Sequence, residues 1–202
     1  MVFLSFVVAA EAQTTWQHTY GGYGIDEGHG IRETQDHGFI VVGSSGSFGN
    51  GSSDVYVLKL DSMGTRQWSE TFGGPSVDQG WSVKQLTDGG YIVAGFTHGD
   101  DGNGYDGFLI RLDDGGNLIW QRVIGSVEWD FLYDVDVLSD GFVVVGSTYV
   151  DGASNKQGWL VRTGLSGNVL WERDFGGVGE DEARCVRIAI DGGIVVAGTV
   201  GL

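Results

Sequence analysis

The sequence repeats with a period of about fifty residues, and this repeat limits the possible folds more than any other feature. Tryptophans recur at intervals of 52, 52 and 51 residues, at Trp16, Trp68, Trp120 and Trp171. Two series of aspartates keep the same phase and share the shorter last interval: Asp26, Asp78, Asp130 and Asp181, and then Asp36, Asp88, Asp140 and Asp191. Because the three series agree, we predict structural units that start near residues 16, 68, 120 and 171.

Within one unit the apolar residues follow the pattern of β-strands. The run GYIVAGFT, residues 90–97, is rich in β-branched and aromatic residues and follows an Asp-Gly-Gly turn. Its counterparts in the other units read GFIVVGSS, GFVVVGST and GIVVAGTV. For the second unit the pattern predicts four strands, near residues 80–87, 91–98, 106–113 and 117–125. The 37 glycines and single proline suit the tight turns that join such strands.

Four strands in a unit of this length are typical of a β-propeller blade. We therefore predict an all-β chain, a β-propeller of four-stranded antiparallel blades over residues 13–202, with three full repeats and a partial fourth. The last unit stops after its second strand, so we expect either a four-bladed ring or part of a larger propeller. An unpaired edge strand would favour self-association through this incomplete blade.

The first twelve residues have two interpretations. MVFLSFVVAAEA is an apolar run that ends in Ala10-Glu11-Ala12, which resembles the cleavage site of a secretory signal peptide. Alternatively, residues 3–8 form a strand that closes the last blade. The run is too short to span a membrane. We expect a protein that is secreted or displayed at the cell surface.

The charge of the chain argues against some partners. The formal net charge is −16 and the pI is near 4.3, so nucleic acid and anionic membrane surfaces would repel the protein. The single cysteine, Cys185, excludes an internal disulfide. The four histidines lack the spacing of a transition-metal site.

The combination of Gly-Gly, Asp-x-Gly, Asp-Gly-Gly and a final tryptophan resembles a known group. These are the secreted bacterial and archaeal propeller-repeat proteins, often loosely labelled endoglucanase-related. The elements LDSMGTRQW and LDDGGNLIW also resemble the tryptophan-docking motif of quinoprotein-type propellers. The resemblance implies the fold. It implies no catalytic residue, since none of an endoglucanase or quinoprotein can be matched by position, and Gln157 departs from the pattern where other units have Asp54 and Asp106.

We place a candidate ligand site where the units share a position but differ in residue. Three residues after the first aspartate series stand His29, Trp81, Tyr133 and Arg184, and one residue after it stand Glu27, Gln79, Phe131 and Glu182. If the strand that follows is the innermost of its blade, these side chains lie at the mouth of the central channel. Aromatic and polar groups around a concave opening are suited to a glycan or protein ligand. The alternative is that they only fill the channel.

The aspartates themselves have a structural interpretation. We predict that Asp26, Asp78, Asp130 and Asp181 accept hydrogen bonds from the backbone N–H groups that follow them, and that the second series lies in hairpin turns. One loop also carries oxygen ligands of the kind Ca²⁺ takes, at Asp100, Asp101, Asn103 and Asp106. We therefore consider Ca²⁺ as the one possible cofactor, with a solvated loop as the alternative.

The sequence favours binding over catalysis. It has no G-x-S-x-G motif and no phosphate-cradling loop followed by a helix. The two carboxyl groups of a glycosidase could come from Glu27, Glu128, Glu180 and Glu182, but the sequence does not place any two of these face to face. We predict a non-catalytic propeller that acts as a binding or scaffold module. The alternative is a carbohydrate-binding or carbohydrate-active propeller.

Overall fold

The computed structural model describes residues 16–99, 104–150 and 155–201. These residues form fourteen β-strands and no helix, which confirms the all-β prediction. The strands make four antiparallel sheets in which each strand pairs with its neighbour in sequence. None of the described segments forms a helix of the length and apolar character that crossing a bilayer requires.

Each of the first three sheets is a simple meander of four strands. Sheet 1 contains β1 (Asp26–Glu33), β2 (Phe39–Ser45), β3 (Asp54–Leu60) and β4 (Arg66–Phe72). Sheet 2 contains β5 (Asp78–Gln85), β6 (Tyr91–His98), β7 (Tyr105–Leu112) and β8 (Leu118–Ile124). Sheet 3 contains β9 (Asp130–Leu138), β10 (Gly141–Val150), β11 (Asn155–Gly164) and β12 (Val169–Phe175). The described part of sheet 4 consists of β13 (Glu182–Ile188) and β14 (Ile194–Thr199).

The predicted boundaries agree with this arrangement to within two residues in the second unit. The strand predicted at 91–98 is β6, and the first strand begins two residues earlier than predicted. The reason is that Asp78 and Gln79 already pair with Thr97 and Phe96 of β6.

The core lies between the sheets. Alternate residues of a strand point to opposite faces, so Tyr91 and Val93 of β6 pack toward sheet 1 while Ile92 and Ala94 pack toward sheet 3. The inner strands β3 of sheet 1 and β6 of sheet 2 are buried on both faces and therefore read as continuous apolar runs, whereas β14 of sheet 4 is largely exposed. A smaller cluster, built around Val143 and Val186, joins sheet 3 to sheet 4.

Tryptophans pack onto glycines in the outer turns of the sheets, and Trp68 of β4 and Trp120 of β8 thereby join neighbouring sheets, whereas Trp16 precedes the first strand of sheet 1. A methyl group added to Gly64, Gly116 or Gly167 would lie 2.6, 2.8 or 2.7 Å from the ring of Trp16, Trp68 or Trp120, respectively. These glycines lie in the turns between the third and fourth strands of sheets 1, 2 and 3, with φ near +80°. The turn thus needs glycine both for its backbone and for the ring that lies on it. Trp171 of β12 stays 40% exposed.

The aspartates of the first series accept backbone hydrogen bonds at the start of each sheet, as predicted, but the donors precede each aspartate in the sequence and do not follow it. Each carboxylate accepts a hydrogen bond from the backbone N–H of the residue four positions before it, whereas we predicted donors that follow it. The donors are Gly22 for Asp26, Gly74 for Asp78, Ser126 for Asp130 and Gly177 for Asp181. The preceding Gly-Gly or Gly-Ser pair is therefore folded back over the carboxylate.

The second series lies in the turns between first and second strands, as predicted. The first three members of the series also pair with buried cations of the third strand: Asp36 with Lys59 at 2.9 Å, Asp88 with Arg111 at 2.5 Å, and Asp140 with Arg162 at 2.5 Å. The cations are less than 10% exposed, so each pairing satisfies a buried charge. The repeat therefore ties three strands of each complete sheet together.

We expect removal of a docked tryptophan to destabilise the protein far more than removal of the exposed one. Trp68→Ala should lower the free energy of unfolding by about 3 kcal/mol, because the ring packs into the core between sheets 1 and 2. Trp171→Ala should lower it by less than about 1 kcal/mol. Urea unfolding of the two variants measures both values, and equal losses would contradict the docking role.

Candidate functional site

The four residues predicted three positions after the aspartates share one structural irregularity. In every sheet the first strand carries one extra residue opposite the second strand, a β-bulge, and the extra residue is His29, Trp81, Tyr133 or Arg184. A bulge breaks the alternation of a strand and re-aims the side chain at that point. A position at which every unit has a different residue is therefore also the position at which each first strand forms its bulge. We call these four the bulge residues.

A glycine on the second strand makes each bulge possible. A Cβ atom on Gly95 of β6 would collide with the carbonyl oxygen of Gln79, the residue two before the bulged Trp81. The other sheets repeat this close approach, with Gly43 against Glu27, Gly146 against Phe131, and Gly198 against Glu182. This explains why all four apolar runs contain a glycine at the same place. Sequence reasoning saw the repeated glycine but not the bulge that it permits.

The bulge residues come together. The rings of His29 and Trp81 are stacked, with centroids 4.5 Å apart and planes inclined by 19°. Tyr133 meets Trp81 edge-on at 5.6 Å, and the guanidinium of Arg184 lies 4.2 Å above the ring of Tyr133. All four side chains line one cavity of about 400 Å³, and this volume falls within the usual range of small-molecule sites, roughly 300–1,000 Å³.

Hydrogen bonds hold this array in place. Nδ1–H of His29 donates to the carbonyl oxygen of Gly80 at 2.8 Å, which joins sheet 1 to sheet 2. The Tyr133 hydroxyl bonds to the hydroxyl of Ser147 at 3.2 Å, and burial raises the pKa of Tyr133. The indole Nε1 of Trp81 is buried, and the described residues offer it no acceptor. A buried donor without a partner costs about 1–3 kcal/mol, so a water or a ligand atom is expected to meet it.

The other four predicted residues surround the cavity without lining it. Glu27 is half-exposed, with Oε2 3.6 Å from Nε2 of His29. Glu182 pairs with Lys156 of β11 and with Arg184. Phe131 stacks parallel to Tyr133 at 6.2 Å but also packs in an aromatic cluster with Phe96, and Gln79 pairs with the same Phe96 in the β5–β6 ladder. Their role in binding stays a prediction.

A charged cluster that sequence reasoning missed lies one residue beyond the bulges. The carboxylate of Asp134 accepts hydrogen bonds from the Ser82 hydroxyl at 2.6 Å, from the Val186 N–H at 3.0 Å and from Nη1 of Arg187 at 2.6 Å. One side chain of sheet 3 thus links sheets 2, 3 and 4. The same comparison of units would have found it, since Gly30, Ser82, Asp134 and Cys185 share a position.

The environment of Asp134 keeps it ionised. Burial disfavours its charge and would raise its pKa, but the hydrogen bonds from Ser82, Val186 and Arg187, together with the charge of Arg187, outweigh burial, and the pKa is lowered. Asp136 also links sheet 3 to sheet 4, since its carboxylate accepts a hydrogen bond from the Ile188 N–H at 2.8 Å. The wall of the cavity therefore contains a fixed ion pair.

The predicted Ca²⁺ loop falls mostly outside the described residues. Asp100, Asp101 and Asn103 lie there, and Asp106 is the second residue of β7. Within the described part of the chain, no three His, Cys, Asp or Glu side chains are arranged to hold a metal ion. The Ca²⁺ site stays a prediction.

We expect the glycine opposite a bulge to be intolerant of any side chain. Gly95→Ala should cost about 2 kcal/mol or more, because the new methyl group meets a backbone oxygen that cannot move without loss of the bulge. Gly74→Ala is the matched control, since a Cβ there has no neighbour within 4 Å, and it should change stability by no more than about 0.5 kcal/mol. Thermal and urea unfolding compare the two, and similar costs would count against the close approach.

Asp134→Asn should destabilise the protein in a pH-dependent way. The folded-state pKa of Asp134 is below its unfolded value, so its contribution is complete above about pH 4 and is lost as the pH falls through the folded-state pKa. We expect a difference of about 2–4 kcal/mol from the native protein at pH 7 that shrinks below about pH 4. Urea unfolding across this range measures it, with the exposed Asp114→Asn as control. A difference that does not change with pH would contradict the assignment.

Comparison with known proteins adds no family to this picture. No protein-family model matches the chain, and no curated protein matches it significantly. The resemblance to propeller-repeat proteins therefore stays a prediction from the repeat itself.

Proposed function

We propose that the four sheets are consecutive blades of a β-propeller. Three features support this. The strands of each sheet run in order from first to last, and the first strands of successive sheets contact one another. In addition, Trp68 and Trp120 dock the outer strands of sheets 1 and 2 onto the sheet that follows. In a propeller the first strands line the central channel, and the bulge residues lie on these strands.

We infer that the chain is a non-catalytic binding module and that its ligand occupies the cavity between the bulge residues. The observation that carries this proposal is the use of one irregularity by all four sheets to bring four chemically different side chains to the same cavity. A channel that only needed filling would be served by repeated apolar residues. The cavity contains instead an imidazole, an indole, a phenol and a guanidinium.

The charges at the cavity support binding rather than glycoside hydrolysis there. Hydrolysis needs two carboxyl groups about 5–10 Å apart, one of which has a raised pKa. Among the described residues that line the cavity, Asp134 is the single carboxylate, and its pKa is lowered while Arg187 and Ser82 hold it.

A binding screen tests the proposal. The full chain is applied to arrays of neutral oligosaccharides, acidic oligosaccharides and peptides, and any bound probe is titrated against variants. Trp81→Ala should weaken binding at least about tenfold, because the indole presents the largest ring in the cavity. Tyr133→Ala should act in the same direction.

Trp171→Ala, an exposed tryptophan on β12 far along the sheet from the bulge, is the matched control and should bind as the native protein does. Far-ultraviolet circular dichroism and thermal unfolding verify that each variant is folded. A probe whose affinity is the same in Trp81→Ala and the native protein, or the absence of any bound probe, would contradict the site.

A further inference from the structure

The cavity concentrates positive charge in a strongly acidic chain. Arg32, Arg184 and Arg187 line it, and Asp134 is the carboxylate among its described lining residues. Three positive charges and one negative charge leave a net +2 when His29 is neutral, whereas the whole chain carries −16. A chain with only eleven basic residues places three of them here, which points to an anionic ligand.

Arg184 and Arg187 keep N–H donors that their internal ion pairs do not occupy. Arg187 bonds to Asp134, yet its side chain remains 48% exposed. Arg184 is 45% exposed, and its partner Glu182 is shared with Lys156. A guanidinium has five N–H donors in a fixed planar array. Arg184 contacts Glu182, and Nη1 of Arg187 donates to Asp134 and to the carbonyl oxygen of Val186, so both groups keep donors for a carboxylate. Both side chains can therefore take part in a further charged hydrogen bond.

The rest of the lining favours a ligand with an apolar ring face and polar edges. His29, Trp81 and Tyr133 offer ring faces and edges, and the buried Nε1–H of Trp81 lacks an acceptor among the described residues. The apolar side chains of the lining are few, and one of them, Val83, is only 1% exposed. A peptide ligand usually anchors itself through apolar side chains in pockets, and this cavity has no deep apolar recess among its described residues. A sugar ring has apolar faces for stacking and a polar rim.

We propose that the ligand is an acidic saccharide, one whose sugar rings carry carboxylate groups. Its carboxylate pairs with the guanidinium groups of Arg184 and Arg187, and its ring packs against the aromatic bulge residues. This inference rests on the proposed binding function of the cavity and adds the class of ligand to it.

A matched pair of ligands tests the charge. A panel of short oligosaccharides built from galacturonate, glucuronate, mannuronate or sialic acid is titrated into the full chain by calorimetry, each acid beside its methyl ester. The ester keeps the ring and removes the charge. We expect at least one acid to bind at least about tenfold more tightly than its ester, and its affinity to fall at higher salt.

A matched pair of variants tests whether Arg184 binds the carboxylate of the ligand. Arg184→Gln should weaken binding of the acid at least about tenfold and binding of the ester by much less, while Arg184→Lys should retain part of the affinity for the acid because it keeps the charge. Arg173→Gln is the control: it removes the same charge from β12, where Arg173 also lies over a tryptophan ring, at 6.0 Å from Trp171. Its affinity for the acid should equal that of the native protein.

The outcomes separate this inference from the proposed function. Equal binding of acid and ester, with loss in Trp81→Ala, would overturn the acidic class and leave the site in place. Binding of an acidic peptide but of no saccharide would contradict the saccharide class of the ligand and would leave the binding site in place. If no saccharide of the panel binds, or if Arg173→Gln weakens binding as much as Arg184→Gln, the inference is wrong.

Discussion

The close approach of two backbones at one glycine per sheet is the contact on which the candidate site depends. Where the second strand carries a glycine, the backbone of the first strand can approach it closely enough to accommodate one extra residue. Regular pairing of the two strands resumes after this residue. Any side chain at Gly95 or its three equivalents would push the strands apart. The identity of the bulge residue is free, because its side chain leaves the ladder, while the glycine opposite is fixed. This division of roles lets a strictly repeated framework present four different groups to one cavity.

The contacts between sheets also depend on residues that differ from one unit to the next. The first strand of sheet 3 supplies Asp134 and Asp136, and the neighbouring strands supply the groups that meet them, including Ser82 on one side and Arg187 on the other. Equivalent positions of the repeat thus carry opposite or complementary chemistry. A repeat in which all four units were identical would place like charges beside one another, and these contacts would be lost. The differences between units are therefore needed for the assembly of the sheets as well as for the cavity.

Much of this arrangement was accessible from the sequence, and the physical reasons for the rest are specific. Periodicity predicted the strands, and comparison of aligned positions predicted that His29, Trp81, Tyr133 and Arg184 belong together, since residues at one phase of a repeat occupy equivalent places. The bulge was not predicted, because an inserted residue in a ladder depends on the pairing of two strands and leaves no local mark except a glycine. The hydrogen bonds to Asp26 and its equivalents were predicted with the wrong donors, because the sequence does not show that the chain folds back before the strand begins. Comparison of units marks the position of Asp134, where every unit has a different residue, but it does not show the hydrogen bonds of this side chain, because its partners come from two other units.

The docking of a tryptophan on a turn glycine has a consequence for how such a chain can grow. Trp16 and Gly64 lie in the same sequence unit, and so do Trp68 and Gly116, and Trp120 and Gly167. The last two pairs nevertheless join the outer strand of one sheet to the sheet that follows it. One unit of about fifty residues thus encodes both halves of a joint between sheets. A gene duplication that copies one unit copies a complete joint, so the array can lengthen or shorten by whole units without having to evolve a new interface. The cavity would change with each such event, because every added unit brings one more side chain to its wall.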